Sequence, residues 1–255
     1  MSVLWFVGLG LEDERGLSRH ALDVLRSSEV FSEEYTAVAA PGSIERLGVE
    51  LGRPVTKLRR AQVEGETEIL RALDRSAQVA LVVVGDPFAA TTHVSLRLAA
   101  EKAGHTWKYL PNASILVAAA GFLGLSHYRF GRTVSLPFPA PGFEPRSPLE
   151  QMAANRAGDL HTLVLLDLAP EIGRFLLAGE AMAILRQRDP SGQVVADDDL
   201  LAVAARVGRA SAAGFFGPFR ELRGRDFGPP LHTLVVPARR LHFEEQAALD
   251  RFRPA

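Results

Sequence analysis

The first half of the chain alternates short apolar segments with amphipathic ones, and this alternation constrains the fold more than any other feature of the sequence. The segments VLWFVG (3–8) and VALVVVG (79–85) are apolar almost throughout, which is typical of strands whose sheet is covered by helices on both faces. LSRHALDVLRSS (17–28) has the apolar spacing of a helix, and Ser18 is its predicted N-cap. The βαβα order predicts an open, mainly parallel sheet.

A turn-like segment, PNAS (111–114), is followed by a second region of mixed character. We therefore predict an α/β protein of two α/β domains, residues 1–110 and 111–255. The predicted helices of the second domain are ILVAAAGFLGLS (115–126), GRFLLAGEAMAILRQ (173–187) and FEEQAALDRF (243–252). Its predicted strands are TVSLPF (133–138), HTLVLLDL (161–168), DLLAVAARV (199–207) and HTLVVPA (232–238). LPFPAPGFEPRSP (136–148) and RDPSGQVVADDD (188–199) are predicted to be exposed connections.

Composition and charge argue against several classes of function. The chain has no cysteine, which excludes disulfides and thiolate metal sites, and its seven histidines lack metal-ligand spacing. The formal net charge is −1 with both signs mixed along the chain, which does not favour a nucleic-acid partner. We find no apolar run long enough to span a bilayer and no signal-peptide pattern, so we expect a cytoplasmic protein that does not enter a membrane. ADDDL (196–200) is interpreted as a solvated turn and His232, taken alone, as a structural histidine.

The loop GLGLEDERG (8–16) follows the first predicted strand, where a dinucleotide-binding loop would lie. The dinucleotide fingerprint needs a third glycine at the position that Asp13 occupies. Asp13 and its two glutamate neighbours would repel a pyrophosphate, so NAD is disfavoured. Gly8 and Gly10 would still allow close backbone approach by an uncharged or cationic group, although a tight turn without a ligand explains them equally well.

Asp86 lies in GDPFAATTH (85–93), directly after the strongest predicted strand, where open α/β sheets bind ligands. Pro87 prevents the strand from continuing. A carboxylate there suits an ammonium, a sulfonium or a pair of ribose hydroxyls. The alternative is that Asp86 caps the helix expected to begin near Thr92, but Thr91 and Thr92 are better placed for that cap.

Strings along nearly the whole chain resemble the diphthine synthases, a branch of the tetrapyrrole-methylase superfamily. GDPFAATTH closely resembles the GDPxxATTH stretch of that family. The other matching strings are FVGLGLEDERGLS (6–18), PNASI (111–115), YRFGRTVSLPFP (128–139), GDLHTLVLLDL (158–168), GEAMAIL (179–185) and DFGPPLHTLVVP (226–237). They follow one another in the order and spacing of the family.

The resemblance implies two α/β domains of the tetrapyrrole-methylase type with the cofactor cleft between them, and a homodimer. It implies a methyltransferase that uses S-adenosyl-L-methionine and releases S-adenosyl-L-homocysteine. The acceptor would be the amino group of a 3-carboxy-3-aminopropyl side chain on one histidine of elongation factor 2, and the product would be diphthine, a step towards diphthamide. Carried over by position, the cofactor-binding residues are Leu11, Asp86, Ala89, Ser114, Ile115, Leu166, Val207 and His232.

We assign no catalytic residue and no metal ligand. Transfer from a sulfonium to an amine has an excellent leaving group, so positioning can supply most of the rate, and the amine needs only to be neutral. Three alternatives stay open from the residues alone: a tetrapyrrole C-methyltransferase, a ribosomal-RNA methyltransferase, which the balanced charge disfavours, and a non-catalytic ligand sensor or scaffold.

Overall fold

The computed structural model describes residues 1–253, which divide into two compact units. The first unit is Met1–Ile115, and the second begins at Leu116. Within the described residues each unit contains one five-stranded sheet flanked by helices, so the predicted α/β class is confirmed. None of the helices formed by residues 1–253 is long and apolar enough to cross a membrane.

The first unit is built on a parallel sheet, as the βαβα order predicts. Its strands are β1 (Val3–Gly10), β2 (Glu29–Glu33), β3 (Thr56–Leu58), β4 (Gln78–Val84) and β5 (Thr106–Leu110). Its helices are α1 (Arg19–Arg26), α2 (Ser43–Leu51), α3 (Arg60–Glu64), α4 (Thr67–Arg75) and α5 (Val94–Lys102). The strand order is β3-β2-β4-β1-β5, and every neighbouring pair is parallel. The two most apolar strands, β1 and β4, therefore lie side by side within the sheet.

Helices cover both faces of this sheet, which explains why β1 and β4 are apolar without alternation. Trp5 and Val7 of β1 pack with α1 and α2 on one face, whereas Leu4 and Phe6 pack with α4 and α5 on the other. The helix that follows β1 and the helix that follows β4 thus lie on opposite faces. Their connections therefore diverge at the carboxyl ends of these adjacent strands, which is the position where open α/β sheets bind ligands.

The predicted N-cap of α1 is confirmed, and the predicted cap of α5 is wrong. The Ser18 hydroxyl accepts a hydrogen bond from the Ala21 amide at 3.0 Å. α5 begins at Val94 with His93 as its N-cap residue, and no side chain caps it. Thr91 and Thr92 lie before that cap position, in the loop that precedes α5.

The second unit has a mixed sheet. Its strands are β6 (Val134–Leu136), β7 (Thr162–Leu166), β8 (Leu168–Ala169), β9 (Arg174–Phe175), β10 (Leu200–Ala205), β11 (Ala213–Pro218) and β12 (His232–Val236). Its helices are α6 (Ile115–Leu123), α7 (Ser147–Ala157), α8 (Ala178–Arg188), α9 (Phe219–Leu222) and α10 (Phe243–Asp250). The main sheet has the order β11-β10-β12-β7-β6, antiparallel except for the β6–β7 pair. The strands β8 and β9 form a separate hairpin.

Three features of the second unit differ from the sequence predictions. The helix predicted over 173–187 begins only at Ala178, because its first residues form β9. The ADDDL segment forms a turn with Asp197 and Asp198 exposed, as predicted, but each of its three aspartates also forms an ion pair with an arginine. The arginine partners of Asp197, Asp198 and Asp199 are Arg186, Arg220 and Arg156, respectively. The helix α7 and the strand β11 were not predicted.

Candidate functional site

Hydrogen bonds join the carboxyl ends of β1, β4 and β5. The Gly10 amide donates to the Gly85 oxygen at 3.2 Å, and the Gly85 amide donates to the Gly10 oxygen at 2.7 Å. Both residues have left-handed backbones, with φ of +85° and +79°, which glycine adopts without strain. Asn112, after β5, donates its Nδ2 to the Gly8 oxygen at 2.9 Å. The close approach predicted at Gly8 and Gly10 is therefore made by the chain's own Asn112.

Two of the three carboxylates of the first loop, those of Asp13 and Glu14, form ion pairs with arginines, which reduces the negative charge that the loop offers to a pyrophosphate. Asp13 lies 2.7 Å from the Arg15 guanidinium, and Glu14 lies 2.7 Å from that of Arg46. Hydrogen bonds from these guanidinium groups lower the pKa of Asp13 and of Glu14, although burial opposes the shift. The loop continues into a single 3₁₀ turn at Glu14–Gly16, not into the long helix whose N-terminus binds a pyrophosphate.

Asp86 is held by two donors and does not cap α5. One carboxylate oxygen accepts a hydrogen bond from the Phe88 amide at 3.0 Å, and the other accepts one from the Tyr109 hydroxyl. Burial, together with the neighbouring Asp86 carboxylate, raises the pKa of Tyr109. The Phe88 ring packs at 4.7 Å from Phe6 and at 6.2 Å from Trp107, measured between ring centroids. The carboxylate is thus anchored at the end of β4 while remaining partly exposed.

The five assigned residues of the first unit lie along one edge of its sheet. Leu11 follows β1, Asp86 and Ala89 follow β4, and Ser114 and Ile115 follow β5, and all five are partly exposed. Because the carboxyl ends of parallel strands meet at one edge, the structure brings these residues to the same side of the unit. Beside Ala89, Ala90 has a φ of +55°, which is uncommon for a residue with a side chain and marks a constrained loop.

The three assigned residues of the second unit also share one sheet edge. Leu166 ends β7, Val207 follows β10 by two residues, and His232 begins β12. The antiparallel register pairs Ala205 with His232 and Leu165 with Thr233, so these chain segments meet at the same side of the sheet. The structure therefore gathers the assigned residues into two sets, one in each unit.

His232 behaves as a structural histidine, as its residue context predicts. Its Nδ1 accepts a hydrogen bond from the Ala178 amide at 3.2 Å, and its Nε2 donates to the Pro229 oxygen at 3.0 Å. Burial lowers its pKa, so the ring is neutral near pH 7. The Arg206 guanidinium binds the same segment by donating to the Phe227 oxygen at 3.0 Å and to the Pro229 oxygen.

Several residues that shape these edges were not predicted from the sequence, chiefly Tyr109, Asn112 and Arg206. Each of these residues binds a partner that is distant along the chain, and the residue type alone does not indicate which partner it binds. Residues 1–253 contain no cluster of three or more side chains suited to hold a metal ion.

Comparisons with known proteins agree on one family. The family model of the Tetrapyrrole (Corrin/Porphyrin) Methylases matches residues 3–222. Curated proteins named diphthine synthase from Methanosphaerula palustris and Methanocorpusculum labreanum are 39% and 37% identical over 251 residues, covering 98% of each chain. The crystal structure of a putative diphthine synthase from Entamoeba histolytica has a TM-score of 0.88 at 31% identity and covers 100% of both chains. A further crystal structure, described as diphthine synthase, has a TM-score of 0.89 at 33% identity over 99% of this chain and 97% of the other.

Proposed function

Because the chain belongs to the tetrapyrrole methylases and, within them, to the diphthine synthases, we propose that S-adenosyl-L-methionine is its methyl donor and elongation factor 2 its substrate. The resemblance in the sequence is thereby confirmed, and the chain is a methyltransferase of diphthamide biosynthesis. The acceptor is the amino group of the 3-carboxy-3-aminopropyl side chain on one histidine of that factor. We further propose a homodimer in the cytoplasm, where a translation factor is available as substrate.

The observation that carries the choice of donor is the anchored carboxylate of Asp86 at the carboxyl edge of the first sheet. A carboxylate has about four acceptor positions, and Asp86 uses two of them on the Phe88 amide and the Tyr109 hydroxyl. The free positions suit ribose hydroxyls or an ammonium group, both of which S-adenosylmethionine carries. The partly exposed apolar side chains of Leu11, Ala89 and Ile115 suit its uncharged adenine ring.

The remaining proposed contacts are Ser114 from the first unit and Leu166, Val207 and His232 from the second. Because both ring nitrogens of His232 are engaged by main-chain groups, its proposed contact is through main-chain atoms or ring carbons. Leu166 and Val207 would contribute apolar surface.

Methyl transfer needs little from the side chains beyond position. S-adenosylmethionine, when bound, would supply a methyl group on a sulfonium. The neutral amine would attack the methyl carbon in line, the thioether S-adenosylhomocysteine would leave, and water would take the proton of the amine. The chain's residues bind and orient the reactants and exclude water from them, and such positioning is worth several kcal/mol. We propose no general base, because the amine has a reference pKa of about 8 and is partly neutral near pH 7.

The deciding experiment is mass spectrometry of elongation factor 2 that carries the aminocarboxypropyl histidine, after incubation with the protein and S-adenosylmethionine. We expect the modified peptide to gain the mass of one or more methyl transfers, and omission of S-adenosylmethionine to abolish the gain. An unchanged peptide in the complete reaction would refute the proposed function.

Binding of the donor is tested separately by calorimetry with Asp86→Ala. Loss of hydrogen bonds to a charged group costs about 1.5–3 kcal/mol, so the dissociation constant for S-adenosylmethionine should rise about 10- to 100-fold. Asp74→Ala is the matched control, since Asp74 is exposed and precedes β4 at the opposite edge of the sheet. Unchanged affinity in Asp86→Ala would remove Asp86 from the donor site.

A further inference from the structure

Glu33, Tyr35 and His93 form a buried cluster at the end of the GDPFAATTH loop, and this cluster takes no part in the proposed chemistry. Glu33 is the last residue of β2, and His93 ends the loop immediately before α5. The side chains of Glu33 and His93 are fully inaccessible to solvent. Buried ionisable groups are costly unless they are partnered, so the contacts of this cluster must offset a substantial desolvation penalty.

Hydrogen bonds link the cluster to the loop. The Nδ1 atom of His93 lies 2.7 Å from the Pro87 carbonyl oxygen, and its Nε2 lies 3.2 Å from the Tyr35 hydroxyl. A carbonyl oxygen only accepts, so Nδ1 carries the proton and donates it to Pro87. Nε2 faces the Tyr35 hydroxyl, and the two contacts together fix the orientation of the imidazole.

Glu33 supports this arrangement from the other side. Its carboxylate lies 3.8 Å from the His93 Nε2 atom and accepts hydrogen bonds from the Tyr35 and Thr36 amides at 2.9 and 3.1 Å. These bonds fix the backbone that carries Tyr35. The cluster thus ties the end of β2 to the loop that follows β4.

The loop that His93 closes contains the strained residue Ala90 and two proposed donor contacts, Asp86 and Ala89. A non-glycine residue in the left-handed region costs about 1–3 kcal/mol and persists only where surrounding contacts hold it. The hydrogen bond from His93 to Pro87 spans most of this loop from its buried side. Other restraints on the loop are the Phe88 and Ala89 amides, which donate to the Asp86 side chain and main-chain oxygen, and the Tyr109 hydroxyl, which donates to the Asp86 side chain.

We propose that His93, oriented by Tyr35 and Glu33, is a positioning residue that holds the segment 86–90 in the conformation that receives the methyl donor. The identity of the donor in this statement rests on the proposed function. The restraint on the segment 86–90 does not depend on the identity of the donor, because every contact that imposes this restraint is made within the chain.

Three variants test the proposal in the whole protein. His93→Leu removes both ring nitrogens, and His93→Asn retains a nitrogen that can donate to the Pro87 oxygen. Tyr35→Phe removes only the hydroxyl that orients the ring. His105→Leu is the matched control, because His105 follows α5 at its opposite end.

The first measurement is amide hydrogen exchange without any ligand. In His93→Leu we expect exchange at the Phe88 and Ala89 amides to accelerate about 10-fold or more, with the amides of β4 unchanged, because local opening of the loop becomes easier. His93→Asn should recover most of the protection. Equal acceleration throughout the first unit, or no rescue by asparagine, would show a merely structural role and overturn the proposal.

The second measurement is the dissociation constant for S-adenosylmethionine. We expect it to rise about 10-fold in His93→Leu and about 3-fold in Tyr35→Phe, and to stay unchanged in His105→Leu. If His93→Leu does not fold, Tyr35→Phe is the variant that tests the proposal. Wild-type amide exchange and wild-type affinity in Tyr35→Phe would then refute it. Failure of the wild-type protein to bind S-adenosylmethionine would refute the donor and not the restraint, which the exchange measurement decides alone.

Discussion

Tyr109 donates its hydroxyl to Asp86 although the two residues belong to different segments of the chain. It is the last but one residue of β5, and it keeps 38% of its surface exposed. We expect Tyr109→Phe to weaken S-adenosylmethionine binding about 3- to 10-fold, because Asp86 loses one of the two donors that orient its carboxylate. Calorimetry measures this change.

The control for this prediction is Tyr128→Phe, which removes the same hydroxyl from a tyrosine that is 97% exposed in the second unit. It should leave the affinity unchanged. A wild-type dissociation constant in Tyr109→Phe would show that the Phe88 amide alone suffices to orient Asp86.

Glu245 is the centre of a buried hydrogen-bond network in the second unit. Its carboxylate accepts from the amides of Ser126 and His242, both at 3.0 Å, and from Arg129 at 2.6 Å. Burial by itself would raise the pKa of Glu245, but the two amides and the neighbouring His161 outweigh it and lower the pKa from 4.5 to about 2. The ionised form is therefore the one that the fold stabilises.

This shift predicts acid sensitivity with a defined sign. A carboxyl group whose folded pKa is depressed contributes stability above its unfolded pKa, and the contribution is lost as the pH falls from about 4.5 towards 2. The loss amounts to about 3 kcal/mol. Glu245→Gln should be less stable than wild type at pH 7, and the difference should shrink over this pH interval in chemical denaturation.

The neighbouring Glu244 supplies the control, because its side chain is 77% exposed. Glu244→Gln should follow the wild-type pH dependence. If the stability gap between wild type and Glu245→Gln were constant from pH 7 to strongly acidic conditions, Glu245 would not be the group that titrates.

At the scale of residues, candidate site residues could be predicted from the sequence better than the side chains that bind them. Asp86 could be singled out because a carboxylate directly after a continuous apolar strand has few structural reasons to be there. Its partner Tyr109 could not be predicted from the sequence, because the two residues meet only when distant segments fold together. The same holds for Arg46, which forms an ion pair with Glu14. The arginine partner of Glu14 in the first loop was not predicted for this reason.

At the scale of elements, continuous or periodic apolar patterns gave correct predictions. The strand β4 could be predicted because helices on both faces leave no polar position in it after Gln78. The helix α7 was missed because prolines surround its start and because it buries Asn155 and Arg156, which read as surface residues. The strand β11 was missed because glycines interrupt its apolar pattern.

The close junction of β1, β4 and β5 predicts that Gly8 tolerates no side chain. A Cβ atom there would lie 2.7 Å from the Asn112 Cβ and 2.8 Å from the Gly85 oxygen, and neither main-chain segment can move independently. We expect Gly8→Ala to destabilise the protein by about 1–3 kcal/mol, as overpacking does. The free energy of unfolding from denaturant titration measures this cost.

Gly121 of α6 provides the matched control, because a Cβ atom on it would meet no atom within 4 Å. Gly121→Ala should be neutral or stabilising, since alanine favours a helix over glycine by up to about 1 kcal/mol. Equal changes in the free energy of unfolding for the two substitutions would mean that the junction of β1, β4 and β5 accommodates a side chain more easily than its distances indicate.

At the scale of the whole molecule, the proposed homodimer predicts a particle of twice the 27.6 kDa of one chain. Apolar side chains are available for an interface: Leu98 of α5 is 54% exposed, and Val117 of α6 is 57% exposed. Sedimentation or light scattering at micromolar concentration should give the doubled mass. A single-chain mass at all concentrations would contradict the proposal.

A more specific prediction is that the dimer interface includes α5. Leu98→Glu should lower the mass towards that of one chain, because an unpaired carboxylate is costly in a buried interface. Val49→Glu is the control on α2, where Val49 is 83% exposed. If Leu98→Glu remained dimeric, the interface would lie elsewhere.

Trp107, beside Phe88, gives the protein an intrinsic fluorescence probe near the loop that carries Asp86. The chain has two tryptophans, Trp5 and Trp107, and both belong to the first unit. Trp5 is buried in the sheet, whereas Trp107 stands 6.2 Å from the Phe88 ring in the loop that carries Asp86. Tryptophan emission therefore follows the first unit alone, and circular dichroism follows both, so the two signals together resolve whether the units melt as one.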